Sequence, residues 1–327
     1  MARSLRILPA LLVTVLALLT GYRAKATATD GPQQPAQLPA PAPSERGTPP
    51  QLVSVHISPA TIDVSSKAAK CAITLALKAS ESKVAPDNGS GTYWAVTLSS
   101  PSHRQERVLI NRQLKLTEGT PMEGVWTGEF TMPQYSESGI WELTRVAIDD
   151  EHGNHLSLAS GNRALDGASL TVYSQPADIT PPEFTRIAIE PSAVTPGIVP
   201  KEITITITAR DDISGVDFVP DGGYGSNGPS VRSGVDIASP SGGQKLTRAR
   251  GENVFAFAKW NLISGTPRDG VWQTEVMLPA NAEPGIWKIR QLCLKDAVRN
   301  SRCYSTDSMD LPSLTVLSPA STGAGAQ

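Results

Sequence analysis

A segment of 25 residues that occurs twice constrains the fold of this chain more than any other feature. It reads GTPMEGVWTGEFTMPQYSESGIWEL from Gly119 and GTPRDGVWQTEVMLPANAEPGIWKI from Gly265, a shift of 146 positions (265 minus 119). Weaker matches extend the repeat in both directions: VHISP at Val55 with IAIEP at Ile187, AITLALKA at Ala72 with EITITITA at Glu202, and SLTV at Ser169 and at Ser313. The chain is therefore predicted to be a tandem duplication.

Within each copy, apolar residues alternate with polar ones, which is the period of a half-buried strand. Alternate residues that share one strand face are Cys71, Ile73, Leu75 and Leu77, and in the second copy Ile203, Ile205 and Ile207. Gly, Pro and Asn separate these short strands, and no convincing helical period follows the N-terminal segment. We therefore predict an all-β chain in which each copy folds as an antiparallel β-sandwich.

Four tryptophans are predicted to lie in the cores of the two sandwiches. Trp126 matches Trp272 and Trp141 matches Trp287, and apolar residues follow each of them on the same strand face. Aromatic side chains in such positions bury a large apolar area. Trp94 and Trp260 lack this matching, so they stay open as candidates for an exposed platform that stacks on sugars.

The strand that follows GIW changes its apolar face partway along. In the first copy the change lies between Leu143 and Val146, and in the second it lies between Ile289 and Leu292. One extra residue in a strand produces such a change, so both copies are predicted to carry a β-bulge at this place.

The first 26 residues have the pattern of a secretory signal peptide. Arg3 and Arg6 precede an apolar run from Ile7 to Leu19, and a small-x-small site ends at Ala26. The alternative is a membrane anchor, but a spanning helix needs about 20 apolar residues. The run here is shorter and contains Pro9, so we expect export, cleavage after Ala26 and no stable membrane anchor.

Composition indicates the remaining boundaries. The stretch after the signal peptide is rich in Pro, Ala and Gln and cannot bury enough apolar surface to order itself, and the prolines of QPADITPPE favour an extended link between the copies. The predicted organisation is a signal peptide at 1–26, a disordered Pro-rich linker at 27–50, a first β-sandwich at 51–174, a link at 175–182, a second β-sandwich at 183–318 and a disordered tail at 319–327. A formal net charge of -2 and a pI near 6.1 argue against nucleic acid as a partner.

Several turn motifs of the chain resemble those of a known domain family. Two of them are DDEHGN from Asp149 and KDAVRN from Lys295. Both are similar to the D-x-x-G-N hairpin turn that is frequent in bacterial immunoglobulin-like (Ig-like) repeats. DDISGV at Asp211 and the DGVW and PGIW motifs from Asp269 add to the likeness, so the two copies resemble tandem bacterial Ig-like domains of secreted and cell-surface proteins over most of residues 51–318. The resemblance implies the fold and the location. It does not imply one function, because family members serve as spacers, adhesive modules and accessory domains of enzymes.

Candidate catalytic residues are scarce. The four histidines are His56, His103, His152 and His155, all in the first copy. The HGNH stretch at His152 offers two imidazoles in a turn, whereas a structural zinc site uses four convergent ligands. No G-x-S-x-G nucleophile elbow occurs in the sequence. We therefore predict no enzymatic activity and no catalytic residue.

A long loop in the second copy is the candidate binding element. It runs from Asp211 to Asp236 and, by the matches above, is nine residues longer than its counterpart in the first copy. Binding commonly occurs on such loops, and acidic oxygens are the ligands that calcium prefers. We predict Asp211, Asp212 and Asp217 as candidate calcium ligands, with Asp221 and Asp236 as further donors. The spacing differs from that of an EF-hand, and solvated acidic side chains are the competing interpretation.

Three cysteines in an exported chain require that at most two of them pair with each other. If the second hairpin is centred on Val298, Cys293 lies directly opposite Cys303, and the first copy lacks both cysteines together. Opposed residues in an antiparallel ladder are close enough for a disulfide. We predict a Cys293–Cys303 disulfide, with Cys71 either a buried free thiol or an intermolecular bridge.

The functional hypothesis that follows is a secreted, non-catalytic binding or adhesive protein. Its partner would be an extracellular protein or a surface glycan, and its location extracellular, periplasmic or at the cell surface. The alternatives are a structural spacer or accessory domain of an extracellular enzyme system, and a carbohydrate-binding module. Apart from calcium, no cofactor is expected.

Overall fold

A computed structural model describes residues 47–84, 92–218, 233–246, 259–304 and 309–318. The signal peptide, all but the last four residues of the Pro-rich linker, and the entire C-terminal tail lie outside the described residues. The described part is built from β-strands, with two single-turn 3-10 helices at Asn111–Gln113 and Arg163–Leu165. None of its helices is long and apolar enough to cross a membrane.

In the first sandwich, the described residues form ten strands in two sheets. The strands are β1 (Gln51–Ser58), β2 (Thr61–Asp63), β3 (Ala69–Lys78), β4 (Trp94–Ser99), β5 (Glu106–Ile110), β6 (Leu114–Gly119), β7 (Glu123–Met132), β8 (Gly139–Asp149), β9 (His155–Ala159) and β10 (Ser169–Tyr173). One sheet has the order β1-β3-β7-β6, and the other has the order β2-β10-β8-β4-β5, with β9 paired to β8.

The second sandwich repeats this arrangement. Its described strands are β11 (Glu183–Glu190), β12 (Ala193–Val194), β13 (Lys201–Arg210), β14 (Gly234–Ala238), β15 (Asn261–Thr266), β16 (Asp269–Leu278), β17 (Gly285–Lys295), β18 (Ser301–Tyr304) and β19 (Ser313–Val316). The sheets have the orders β11-β13-β16-β15 and β12-β19-β17-β14, with β18 paired to β17. Both sandwiches belong to one compact unit, Glu45–Gln327.

The predicted all-β sandwich fold is confirmed, with one refinement in the edges. Neighbouring strands pair antiparallel except for the short edge strands, because β2 pairs with β10 and β12 pairs with β19 in parallel. Each sandwich encloses its own apolar core, formed by the inward faces of its two sheets. The domain boundaries given above stay a prediction.

Strand pairing corrects one part of the repeat alignment. Leu75 lies opposite Trp126, and Ile207 lies opposite Trp272, so β3 and β13 match at a shift of 132 (207 minus 75) and not of 130. The slip of two residues arose because an alternating strand resembles itself after a shift of two. Since Leu98 and Ile237 still match at 139, the long loop exceeds its counterpart by seven residues and not nine.

The duplicated segment begins in a tight hairpin turn, which explains why its first residues are shared. Gly119 and Gly265 have φ angles of 79° and 80°, in the left-handed region that favours glycine. A Cβ atom would lie 2.4 Å from the carbonyl oxygen of Glu123 in the first copy, and 2.3 Å from that of Asp269 in the second. No other amino acid fits there without moving the backbone, so the turn fixes how β6 meets β7 and how β15 meets β16.

All six tryptophans of the chain are buried. The predicted core positions of Trp126, Trp141, Trp272 and Trp287 are therefore confirmed. Trp94 packs edge-on against Trp126 with ring centroids 5.1 Å apart, and Trp260 packs against Phe218 at 4.8 Å. The idea that Trp94 and Trp260 form an exposed sugar platform is wrong, because the two cores enclose both rings.

The two predicted bulges are present at matching positions. Between β8 and β4, Arg145 pairs with Thr97 and Leu143 pairs with Leu98, so β8 has one extra residue at this place. On β17 the ladder to β14 passes in the same way from Gln291 to Ile289. Each bulge lets one strand bury opposite faces before and after the skipped residue.

The cysteine prediction is also confirmed. Cys293 and Cys303 form a disulfide with a Cα–Cα distance of 4.0 Å, and Leu292 lies opposite Tyr304 in the same ladder. Cys71 is a free, buried cysteine, and burial raises the pKa of its thiol to about 11. A thiol in this environment reacts slowly and is inaccessible to a second chain.

The core positions of the paired tryptophans predict a large effect of truncation. Trp272→Ala should lower the free energy of unfolding by about 3–5 kcal/mol, because it removes a large buried ring and leaves a cavity. Thermal or denaturant unfolding of the full chain measures this change. The exposed Ile263 on the neighbouring strand provides the control, since Ile263→Ala should change stability by about 0.5 kcal/mol or less. Equal effects of the two substitutions would contradict the assignment of Trp272 to the core.

Candidate metal centre at the junction of the sandwiches

The link between the sandwiches is fixed at Asp178. Its backbone N–H donates to the carbonyl of Tyr135 in the first sandwich, at 2.8 Å. Its carbonyl accepts from the side-chain amides of Gln105 at 2.6 Å and of Asn300 at 3.2 Å. Because these partners come from both sandwiches, the link is held at this point and does not act there as a loose spacer.

Gln105 is the contact from the first sandwich. Its side chain is buried, and its Oε1 accepts the backbone N–H of Glu137 at 2.9 Å. Its Nε2 donates to Oδ1 of Asn300 at 3.0 Å as well as to Asp178. Arg107 adds a second contact between the same two segments, because its Nη2 donates to the carbonyl of Val298 at 3.4 Å. The first sandwich therefore binds the β17–β18 turn through buried polar side chains.

Three aspartates come together beside this contact. One carboxylate oxygen from each of Asp178, Asp211 and Asp296 lies within 4.8 Å of those from the other two. Asp178 belongs to the link, Asp211 directly follows β13, and Asp296 directly follows β17. Asp178 and Asp296 are 0% exposed and Asp211 is 7% exposed. We refer to these three residues as the junction triad.

The turn that follows β17 accounts for the bonds of Asp296. Its Oδ1 accepts the backbone N–H groups of Val298 at 3.0 Å and Asn300 at 2.8 Å, and its Oδ2 accepts from Nδ2 of Asn300 at 2.7 Å. A carboxylate that accepts backbone N–H groups in this way stabilises a tight turn. Asp296 therefore has a local structural role in addition to its place in the junction triad.

The loop after β13 holds the other two carboxylates. Oδ2 of Asp211 accepts the N–H groups of Gly215 at 2.7 Å and Ile213 at 3.3 Å, and Oδ2 of Asp178 accepts that of Ser214 at 2.8 Å. One short loop thus orients two acidic side chains from distant parts of the sequence.

The remaining oxygen of Asp211 has no such partner. Its Oδ1 is buried and makes no hydrogen bond, and no ion pair within the described part of the chain includes a member of the junction triad. A buried polar atom without a partner costs about 1–3 kcal/mol. The junction triad therefore contains an acceptor that its own turns do not satisfy.

Burial and electrostatic repulsion raise the pKa of two members of the junction triad, Asp296 and Asp211. Loss of water raises the pKa of Asp296 to about 8, and the nearby carboxylate of Asp178 adds to the rise. Burial likewise raises the pKa of Asp211 to about 6, again with a contribution from Asp178. Both shifts show that the charged forms are disfavoured where they stand. Chemically, the arrangement can share protons or bind a hard cation through oxygen atoms.

Of the predicted calcium ligands, the structure brings only Asp211 into the junction triad. Asp212 is exposed, and Asp217 is half-buried with its Oδ2 3.4 Å from Nζ of Lys295. Asp236 lies 2.5 Å from Nζ of Lys245, and Asp221 is outside the described residues. Among the described residues, the junction triad is the one group that could hold a metal ion.

Asp178 and Asp296 were not among the predicted ligands, although the repeat contains a signal for the turn at Asp296. In the first sandwich Asp150 and Asn154 form the same turn, with Asp150 accepting from the backbone and side chain of Asn154 at 2.9 and 2.8 Å. At the shift of 132, however, Asp211 matches Ala79 and Asp178 matches Arg46. Two acids of the junction triad are therefore specific to the second copy, and the turn itself does not require them.

Comparisons with known proteins give limited information. No family model and no curated protein matches the chain. Among solved structures, a marsupial T cell receptor resembles it at 10% identity and a TM-score of 0.23, over 77% of this chain and 98% of that chain. The N-terminal eight Ig domains of Down Syndrome Cell Adhesion Molecule isoform 1.30.30 resemble it at 9% identity and a TM-score of 0.22, over 81% of this chain and 27% of that chain. Bovine butyrophilin resembles it at 10% identity and a TM-score of 0.19, over 77% of this chain and 97% of that chain. Similarities of this size carry no argument about partner or function.

Gln105 should be more important for stability than its counterpart in the second sandwich. Gln244 makes the equivalent bond, accepting the N–H of Glu283 at 2.7 Å, but it is only half-buried. Gln105→Ala should lower the free energy of unfolding by about 1–3 kcal/mol for each buried group that loses its partner, and Gln244→Ala should lower it by clearly less. Denaturant unfolding of the full chain measures both. A smaller loss for Gln105→Ala than for Gln244→Ala would show that the junction does not stabilise the protein.

Proposed function

We propose that the chain is an exported, non-catalytic binding protein of the kind built from tandem bacterial Ig-like modules, and that it binds an extracellular protein with the far end of its second sandwich. One observation carries this proposal. The loops of the first sandwich that contact the link have counterparts in the second sandwich, at the end away from the link. The described residues on these counterpart loops include exposed aliphatic side chains.

The repetition can be followed residue by residue. In the first sandwich, the N–H of Tyr135 donates to the carbonyl of Val64 at 3.1 Å, and the carbonyl of Tyr135 accepts from Asp178. In the second sandwich, Asn281 occupies the place of Tyr135 and donates to the carbonyl of Gly197 at 2.9 Å. At the shift of 132 the acceptor in the second copy is displaced by one residue, so the loops on this end make a similar but not identical backbone bond in the two copies.

The two ends differ in the residues that they present to solvent. At the shift of 132, Ile198 and Val199 replace Ser66 and Lys67 of the first copy. Ile198 is 89% exposed and Val199 is 62% exposed. Two adjacent, exposed aliphatic side chains on a loop tip favour contact with an apolar surface of a protein. Loops on a rigid sandwich are also the usual place for binding residues.

Other observations support export and a protein partner over a sugar. A disulfide in the β17–β18 hairpin is typical of proteins that fold in an oxidising compartment. The burial of all six tryptophans removes the aromatic platform on which the carbohydrate hypothesis depended. A structural spacer or accessory domain remains the alternative, and it differs from the proposal in requiring no saturable binding.

The first copy supplies the residues for a direct test. Ile198→Ser with Val199→Lys restores the first copy's residues on an exposed loop, so thermal unfolding should be unchanged. Labelled full-length protein is titrated on arrays of glycans and of proteins extracted from cell surfaces. The proposal expects saturable binding to proteins that the double substitution weakens at least about tenfold, because an apolar contact at the interface is lost.

Two results would contradict this proposal. Saturable binding to glycans with no effect of the double substitution would support the carbohydrate module instead. Absence of saturable binding on both arrays would support the spacer.

A further inference from the structure

We propose that the junction triad, Asp178, Asp211 and Asp296, binds one calcium ion and thereby fixes the link to the second sandwich. This site goes beyond the proposed binding function, and it stands whether or not the far end of the second sandwich contacts a partner. Its ligands differ from the three aspartates that the sequence indicated.

The first reason is electrostatic. Three carboxyl groups lie out of water within reach of one another, and no described ion pair supplies a compensating positive charge. Buried charges in folded proteins are normally paired or bound to metal ions. A divalent cation would compensate most of the negative charge of the junction triad.

The second reason is the unsatisfied acceptor. Oδ1 of Asp211 is buried without a hydrogen bond, while Oδ2 of the same carboxylate is held by Gly215 and Ile213. The carboxylate is thus oriented by the protein and keeps one oxygen available. A cleft of about 390 Å³, lined by Pro181 of the link and by Arg268, borders Asp211.

The chemistry of the donors selects calcium. All three side chains offer carboxylate oxygens, which suit hard cations and not zinc or copper. They come from the link and from two separate loops, and one oxygen of each lies within 4.8 Å of the others. Calcium accepts six to eight oxygen ligands in flexible geometry, whereas magnesium requires a nearly ideal octahedron and loses its water reluctantly. Water and carbonyl groups would complete the shell.

The first sandwich serves as an internal comparison. The turn from Asp150 to Asn154 reproduces the bonds of Asp296 and Asn300 without the other two acids. Ala79 takes the place of Asp211, so folding of the turn does not explain why the second copy buries further carboxylates. Ligation of a cation does explain it, and it also explains why one of the acids comes from the link.

The test uses the full chain, freed of metal with EDTA and then titrated with calcium chloride in a calorimeter. Extracellular modules bind calcium with dissociation constants of about 10⁻⁴–10⁻³ M, so the titration extends to about 10 mM. We expect one calcium ion per chain and a rise in melting temperature, because binding stabilises the folded state. Magnesium should bind at least about tenfold more weakly.

The decisive variant is Asp211→Asn, which keeps the size of the side chain and its acceptor for Gly215. We expect it to weaken calcium binding at least about tenfold and, in EDTA, to melt no lower than the parent, because it removes a buried charge. A merely structural role for Asp211 would instead lower the melting temperature in EDTA. Asp212→Asn, Asp217→Asn and, in the first sandwich, Asp150→Asn are the matched controls, and they should change calcium affinity by less than about twofold.

Several results would overturn this inference. The parent would show no calcium binding up to about 10 mM, or would bind magnesium as tightly as calcium. Alternatively, Asp211→Asn would bind calcium with the affinity of the parent, or would melt at a lower temperature than the parent in EDTA. Loss of binding in Asp212→Asn or Asp217→Asn would move the site to the exposed loop.

Discussion

Removing a polar group from water requires that it find a partner, and this constraint arranges the loops at the ends of both sandwiches. The cores can close only if the turns between strands satisfy their own N–H and carbonyl groups. Asp150 and Asp296 do this by accepting several N–H groups of the turn that follows them. Gln105 does it across the junction by bonding to Glu137, Asp178 and Asn300. Oδ1 of Asp211 is the buried carboxylate oxygen, among the described residues, for which this constraint is unmet.

The two sandwiches share their core features and differ at their ends. Both copies keep the hairpin glycines, the core tryptophans and the bulge on the strand after GIW, because each feature is needed for the sandwich to close. They differ at the ends, where the second copy gains Asp178 and Asp211 at the junction and Ile198 and Val199 at the far side. These changes leave the cores alone and alter what the ends can bind. The junction and the far end are thus two separate uses of the same kind of surface.

Local patterns made much of the fold predictable. Alternation of apolar residues located the strands, and the hairpin centred on Val298 predicted the Cys293–Cys303 disulfide. The junction triad was harder to predict, because Asp178 and Asp296 are 118 positions apart (296 minus 178) and meet only where the link is held between the two sandwiches. Acidic residues in turns also look solvated in a sequence, since burial is decided by packing of distant segments.

Hydrogen exchange of backbone amides in the full chain, with EDTA and with calcium, tests the central claim most directly, because it reports local opening segment by segment. Calcium should slow exchange in the loop after β13, in the link around Asp178 and in the turn after β17. The equivalent turn from Asp150 to Asn154 lacks the other two acids and should exchange at the same rate in both conditions. Equal slowing of both turns, or no slowing at the junction under saturating calcium, would contradict a cation site built from the junction triad.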